Sequence, residues 1–154
     1  MFSRILIIKD VIERYKEELG RVLYYDIGDT YFQGDPFTFN DKSLHVSDEQ
    51  VILRHEVYNT IWANQIPGFD VNYFGNNNVI CFGLFAGDVD SVWKVLSILS
   101  CSWITGEPLL NDQTLYNIVL RSKIPQKSDL NITIDKDLRS IGVNLLFGEN
   151  ANVL

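Results

Sequence analysis

Two aspartates, Asp26 and Asp29, have the type and spacing of residues that bind a metal ion. They follow a short apolar segment, residues 21–25, which predicts a buried strand. Gly28 lies between them and allows a turn tight enough to bring both carboxylates toward one point. Carboxylate oxygens suit Mg²⁺ or Mn²⁺, which keep several waters and also bind substrate phosphates. The spacing alone fits an Asx-type turn after a strand at least as well, so the pair needs further support.

That support comes from a longer motif around the pair. The segment Tyr-Asp-Ile-Gly-Asp-Thr-Tyr-Phe-Gln-Gly-Asp-Pro-Phe, residues 25–37, resembles the metal motif of a family of GT-A-type nucleotide-diphospho-sugar glycosyltransferases. In that family an apolar strand leads into Asp-Ser-Arg-Asp, then Phe-Gln, then an Asp-Pro-Phe turn. Ile27 and Gly28 stand here in place of Ser-Arg, so the resemblance implies no donor contact from that arginine. The residues that match in order are Asp26, Asp29, Phe32, Gln33, Asp35, Pro36 and Phe37.

A second segment, residues 79–87, resembles the strand and glycine-containing turn that form part of the sugar pocket in the same family. The resemblance implies that Gly83 and Gly87 are substrate-binding residues. Phe82 stands where a small polar residue is usual, which implies the loss of one hydrogen bond to the donor sugar. Taken without the resemblance, the two glycines predict only a flexible strand-to-helix turn.

A third segment, residues 111–117, resembles the Asp-Gln segment that opens a helix beside the acceptor and the donor sugar. The resemblance implies that Asp112 is catalytic, either orienting the acceptor hydroxyl or acting as its general base. It also implies that Gln113 binds substrate. Helix capping by Asn111 and a favourable charge at Asp112 in the first helical turn explain the same acidic segment in purely structural terms.

Together the three motifs imply a metal-dependent transferase, with Mn²⁺ or Mg²⁺ bound by Asp26 and Asp29. Asp26 would also contact the nucleotide-sugar donor, and the acceptor would be a hydroxyl of a glycan, a protein or a small molecule. The resemblance spans about residues 20 to 147, the central and C-terminal part of a GT-A domain. The preceding β-α-β section that holds the nucleotide base and a later His-containing segment have no evident counterpart.

Two other functions remain open. One is a noncatalytic remnant or interaction module of glycosyltransferase ancestry. The other is a nucleotidyltransferase, which would more plausibly need a glycine- and lysine-rich phosphate loop, and the sequence contains none.

The elements that must position these residues alternate between helices and strands. Hydrophobic periodicity and turn residues predict an α/β fold, a GT-A-like but incomplete mixed sheet flanked by helices, in one domain of residues 1–154. Ligands in such sheets collect beyond the carboxyl ends of strands. Helices are predicted at residues 3–19, 56–64, 89–103 and 111–121, and strands at 21–25, 43–46, 79–82, 131–134 and 142–147.

Composition and charge limit the possible functions. The 154 residues are 46% apolar and 21% charged, which is typical of a folded chain. The formal charge of -7 and the absence of a Lys/Arg cluster predict no nucleic-acid partner. An acidic protein can still bind a nucleotide-sugar when a divalent cation lies between its carboxylates and the phosphates.

The remaining residue types predict no other chemistry. Cys81 and Cys101 lie in apolar segments and predict buried thiols, and His45 and His55 are not at metal-ligand spacing. The first ten residues do not resemble a secretory signal, and no apolar segment is long enough to cross a membrane. We therefore expect a soluble chain, and the sequence does not indicate its compartment.

Overall fold

The computed structural model describes residues 3–28, 30–66, 70, 72, 75–104, 111–136 and 143–145. The helices are α1 (Ser3–Tyr15), α2 (Val57–Ala63), α3 (Val89–Ile104), α4 (Asp112–Arg121) and α5 (Ile124–Lys127), with a 3₁₀ turn at Leu53–His55. The strands are β1 (Arg21–Tyr25), β2 (Thr30–Phe32), β3 (Ser43–Ile52), β4 (Asn78–Asp88), β5 (Asn131–Lys136) and β6 (Val143–Leu145).

The main sheet has four strands in the order β1-β4-β3-β5. Strand β4 is antiparallel to both β1 and β3, whereas β3 and β5 are parallel. A separate two-stranded sheet pairs β2 with β6. The predicted mixed α/β sheet flanked by helices is therefore confirmed at this level of detail.

Strand β4 is the centre of the fold because it is apolar on both sides and buried from Val79 to Gly87. The prediction of a turn at residues 83–87 is wrong, since these residues continue the strand and pair with β1. The only glycine of the described chain with a positive φ is Gly28. Gly87 instead permits close packing, because a Cβ there would lie 2.9 Å from the carbonyl oxygen of Ser43.

Helices α1, α3 and α4 cover the sheet and enclose the main core. The predicted start of α3 is confirmed, because the Asp88 carboxylate accepts hydrogen bonds from the amides of Asp90 and Ser91. Its apolar side chains pack with those of α1, α4 and the central strands. The buried members of this core are Ile5, Ile12, Leu44, Val46, Ile80, Phe82, Phe85, Val92, Val95, Leu96, Leu99, Leu115, Tyr116, Val119, Leu120 and Leu130.

Other features also differ from the sequence prediction, among them the unpredicted β2 and α5. Helix α1 ends at Tyr15 rather than at residue 19, and the chain continues as a turn in which the Tyr15 carbonyl accepts from the amides of Glu18 and Leu19. Strand β3 continues past Val46 through an irregular, polar second half that includes a positive φ of 59° at Gln50. Cys101 is exposed near the end of α3, so its prediction as a buried thiol is wrong, whereas Cys81 is buried.

The prediction that no segment crosses a membrane agrees with the helices of the described ranges. None of these helices has the length and apolar character that spanning a bilayer requires.

Candidate functional site at the carboxyl end of strand β1

Asp26 is the first residue after β1 and lies directly beside Gly83 of β4. Its amide donates to the Gly83 carbonyl over 2.8 Å, which fixes the aspartate at the edge of the paired strands. A Cβ at Gly83 would lie only 2.6 Å from Asp26 Oδ2. The glycine therefore leaves the space that the carboxylate occupies, and two residues predicted from separate motifs are in contact.

Arg4 of α1 connects Asp26 to Asp112, the first residue of α4. Its Nη1 lies 3.2 Å from Asp26 Oδ1, and its Nε forms an ion pair with Asp112 Oδ2. The guanidinium also lies over the Phe82 ring, 4.8 Å from the centroid. Asp112 has only 1% of its side chain exposed, whereas 41% of the Asp26 side chain is exposed. One arginine thus joins the buried carboxylate to the accessible one.

The pKa values of Arg4 and Tyr24 depend on the charged groups around them. Burial lowers the pKa of Arg4, but the hydrogen bond and charge of Asp112, together with the charges of Tyr24 and Asp26, outweigh burial and raise it. Arg4 therefore remains a cation. The Tyr24 hydroxyl lies 3.1 Å from Asp26 Oδ1, and the pKa of Tyr24 is raised by burial and by the charge of Asp26. Tyr24 consequently stays protonated and donates to the carboxylate.

Gln113 is held at the start of α4 by contacts at its backbone and its side chain. Asn111 caps the helix as predicted, accepting from the Gln113 amide over 2.9 Å. The side-chain oxygen Oε1 of Gln113 accepts from the Phe82 amide over 3.4 Å. One turn later, Asn117 is 2% exposed and exchanges hydrogen bonds of 2.8 Å with both backbone groups of Ile80. These amide contacts lock the first turns of α4 onto β4.

Glu49 is a member of the site that the sequence did not indicate. It lies half-buried in the irregular half of β3, close to Cys81 and Gln113. Burial raises the pKa of Glu49, and the charges of Glu56 and Asp48 act in the same direction. A lone glutamate in a polar segment carries no signal of this kind, because the contact depends on the bulged register of β3 with β4.

Arg4 was also missed, although its position carries a weak signal. It precedes Ile5 by one residue and Ile8 by four, which places a charged side chain beside the predicted apolar face of α1. A cation next to a buried face usually has an acidic partner. The sequence alone could not show that the partners are Asp26 and Asp112.

Gly87, which was predicted to bind substrate, does not lie at this cluster. Gly87 pairs with Val22 and Leu44 in the middle of the sheet, four residues along β4 from Gly83, or roughly 13 Å at ordinary strand spacing. Asp29 lies outside the described residues, so its place relative to Asp26 stays a prediction. The His45 ring is buried, with its Nε2 2.7 Å from Asp41 Oδ1.

The described residues fit a divalent cation only as a single-carboxylate site. No cluster of three or more His, Cys, Asp and Glu side chains suited to a metal occurs among them. The Asp26 carboxylate has about four lone-pair sites, and the hydroxyl of Tyr24 and Nη1 of Arg4 occupy only part of these. Mg²⁺ commonly binds through one or two carboxylates and completes its shell with waters and substrate phosphates. Asp26 fits that limited role.

Comparisons with known proteins add no family. No model of a protein family matches the chain, and a search of curated proteins finds no match either.

Proposed function

We propose that this chain is a glycosyltransferase domain of the GT-A type that binds a nucleotide-diphospho-sugar beside Asp26. The observation that carries the proposal is the meeting of three motif segments at one edge of the sheet. Asp26, Gly83 and the Asp112-Gln113 pair come from distant parts of the chain and are joined through Arg4 and Phe82. Chance similarity in three separate segments would not require them to meet.

In this proposal the accessible Asp26 is the group that faces the diphosphate. A divalent cation bound by Asp26, and by Asp29 as the motif implies, would act as a Lewis acid that neutralises the departing diphosphate. Arg4 pairs with the carboxylate of Asp26 and orients it, and Tyr24 donates a hydrogen bond to it. The cluster thus holds an anionic group at the carboxyl end of a strand, where ligands of such sheets collect.

Asp112 and Glu49 have different roles in this proposal, one in orienting the site and the other in activating the acceptor. Asp112 is almost completely buried and paired to Arg4, which suits a residue that orients the site rather than one that removes a proton from an acceptor. Glu49 is half-buried with a raised pKa, and a carboxyl whose pKa is shifted toward neutrality is better suited to general acid–base catalysis. We therefore assign acceptor activation to Glu49, with Gln113 holding it in place.

A noncatalytic module of the same ancestry is the second candidate, and one observation favours it. The guanidinium of Arg4 pairs with both Asp26 and Asp112, so the site already contains a cation of its own. In such a module the three residues would stabilise the fold and bind no donor.

The two candidates differ in their response to ligand. Thermal unfolding is measured with Mn²⁺ or Mg²⁺ and a panel of nucleotide-sugars, for the wild type, Asp26→Asn and Asp10→Asn. Asp10 is an exposed aspartate of α1 paired to Arg14, so its change matches the chemistry of the test variant away from the site. A transferase is stabilised by a metal and at least one nucleotide-sugar, and Asp26→Asn removes the shift while Asp10→Asn keeps it. No shift with any ligand favours the noncatalytic module.

A further inference from the structure

The outer flank of helix α1 carries an apolar stripe that the described residues leave uncovered. Ile7 is 62% exposed, Val11 48% and Tyr15 45%, and a spacing of four residues places them along one side of the helix. Lys9 lies on the side toward α3, with its Nζ 5.9 Å from the centroid of the Trp93 ring. Ile7 and Val11 are each two residues from Lys9, so they lie on nearly the opposite side, away from α3.

Strand β1 is an edge strand of the sheet. The amide of Asp26 donates to Gly83, and the amide of Val89 donates to Gly20. Residue pairs of antiparallel strands alternate between hydrogen-bonded and non-hydrogen-bonded pairs. The backbone groups of the even-numbered residues of β1 therefore form hydrogen bonds with β4. The amides and carbonyls of Arg21, Leu23 and Tyr25 therefore point outward, and no backbone partner for them occurs among the described residues.

The sequence of edge β1 carries little of the usual protection against strand pairing, although residues 32–40 contact the side chains of Arg21 and Tyr25. Natural edges are protected by prolines, bulges or charged side chains, and the sequence Arg-Val-Leu-Tyr-Tyr has one charge, at its first residue. The opposite edge, β5, ends in Asp135 and Lys136. Arg4 lies seven residues before Val11, almost two full turns, and its Nη1 lies 3.4 Å from the Tyr24 hydroxyl, so the stripe is on the side of α1 nearest this edge strand. We call the two together the α1–β1 face.

We propose that a second copy of this chain docks on the α1–β1 face through a two-fold axis perpendicular to the sheet. The axis pairs the two β1 strands antiparallel and makes one continuous eight-stranded sheet. It also places the two α1 helices side by side on the same face, with Val11 against Val11 and Ile7 against Tyr15 of the other copy. This arrangement covers the stripe and gives the outward backbone groups partners.

The charges of the face are self-complementary in this arrangement. Asp10 and Arg14 flank the stripe, and antiparallel helices bring Asp10 of one copy near Arg14 of the other. Residues 3–25 contain five basic and four acidic side chains, a formal charge of +1, whereas the whole chain carries -7. Two copies therefore meet through a nearly neutral surface, although the whole molecules repel each other.

Sedimentation equilibrium of the wild type, Val11→Lys and Ile61→Lys tests this face. Ile61 of α2 is 49% exposed and is a matched control for Val11 at 48%. We expect a wild-type dimer whose dissociation constant rises at least about tenfold in Val11→Lys, because two lysines then face each other at the axis. Ile61→Lys should leave the dissociation constant of the dimer unchanged. A monomeric wild type, or a dimer equally tolerant of both changes, overturns the proposal.

Amide hydrogen exchange in the wild type gives a second, mutation-free test. The amides of Leu23 and Tyr25 become protected as protein concentration rises, whereas those of Val22 and Tyr24 are protected at every concentration by their bonds to β4. Fast exchange of Leu23 and Tyr25 at the highest concentration overturns strand pairing. If both amides are protected equally at every concentration, another segment of the same chain covers the edge, and the proposal is likewise overturned.

Discussion

At the scale of single residues, Arg4 is the side chain that holds the site together. It joins the buried Asp112 to the accessible Asp26, so it links the start of α4 to the end of β1. Removal of one partner from a buried pair leaves an uncompensated charge, which costs more than the pair contributes when it is intact. The consequences of losing Arg4 should therefore exceed those of losing an ordinary surface arginine.

The variant Arg4→Met keeps a long apolar side chain but removes the cation. We expect it to lower the free energy of unfolding by about 1–3 kcal/mol, less than for a fully buried pair because 31% of the Arg4 side chain is exposed. Arg14→Met, on the same helix in an exposed pair, should cost at most about 0.5 kcal/mol. Urea denaturation measures both, and Asp112→Asn should restore part of the loss in Arg4→Met. Equal costs for the two arginines would contradict the account.

Glu49 gives a prediction about pH. Its pKa in the folded protein is raised above the reference value of 4.5, so its stabilising contribution is complete below that pH and is lost as pH rises through the folded pKa. The unfolding free energy of the wild type minus that of Glu49→Gln should therefore fall from pH 4.5 upward. Urea denaturation across this range measures it, with Glu17→Gln in the exposed turn after α1 as the control for loss of one carboxylate. A difference that rises with pH would refute the assignment.

At the scale of elements, the site depends on how β4 and α4 are fixed together. Periodicity and capping residues predicted β1 with its observed bounds and both ends of α4, because these signals are local in the chain. The continuation of β4 past Gly83 was not predicted, since glycines suggest turns and only the neighbouring Asp26 shows why a glycine is needed. The contacts of Arg4 and Glu49 likewise could not be predicted from a sequence pattern, because they depend on tertiary packing and strand register.

The two glycines of β4 should respond differently to alanine. In Gly83→Ala the new Cβ meets the tip of the Asp26 side chain, which can move, so the site is disturbed more than the fold. In Gly87→Ala the Cβ meets the backbone oxygen of Ser43, which cannot move easily, so stability falls by about 1–3 kcal/mol. Urea denaturation and metal titration of both variants separate the effects. A greater loss of stability in Gly83→Ala than in Gly87→Ala would contradict this assignment.

The contact between α4 and β4 depends on Asn117. In Asn117→Ala the backbone groups of Ile80 lose buried hydrogen bonds of 2.8 Å, and we expect a loss of about 2–4 kcal/mol in unfolding free energy. Asn76→Ala, at an exposed turn position, should change stability by no more than about 0.5 kcal/mol. Chemical denaturation compares the two. A cost at Asn117 no larger than at Asn76 would show that α4 is held by apolar packing alone.

At the scale of the whole molecule, charge and topology together define the proposed function. The chain carries a formal charge of -7, so a diphosphate is repelled unless a cation lies between it and the carboxylates. The sheet order places Asp26 and Gly83 side by side, and α4 brings Asp112 to the same place through Arg4. We propose that this edge of the sheet is where a metal and a nucleotide diphosphate bind.

Paramagnetic broadening of backbone amide signals by substoichiometric Mn²⁺ with a nucleoside diphosphate tests that claim most directly, because it locates the ion. We expect the strongest broadening at Asp26, Gly83 and Gln113, and little at Asp88, at the far end of β4. We also expect that Asp26→Asn abolishes the broadening while Asp10→Asn preserves it. Broadening centred elsewhere, or none at these three amides, would contradict the account.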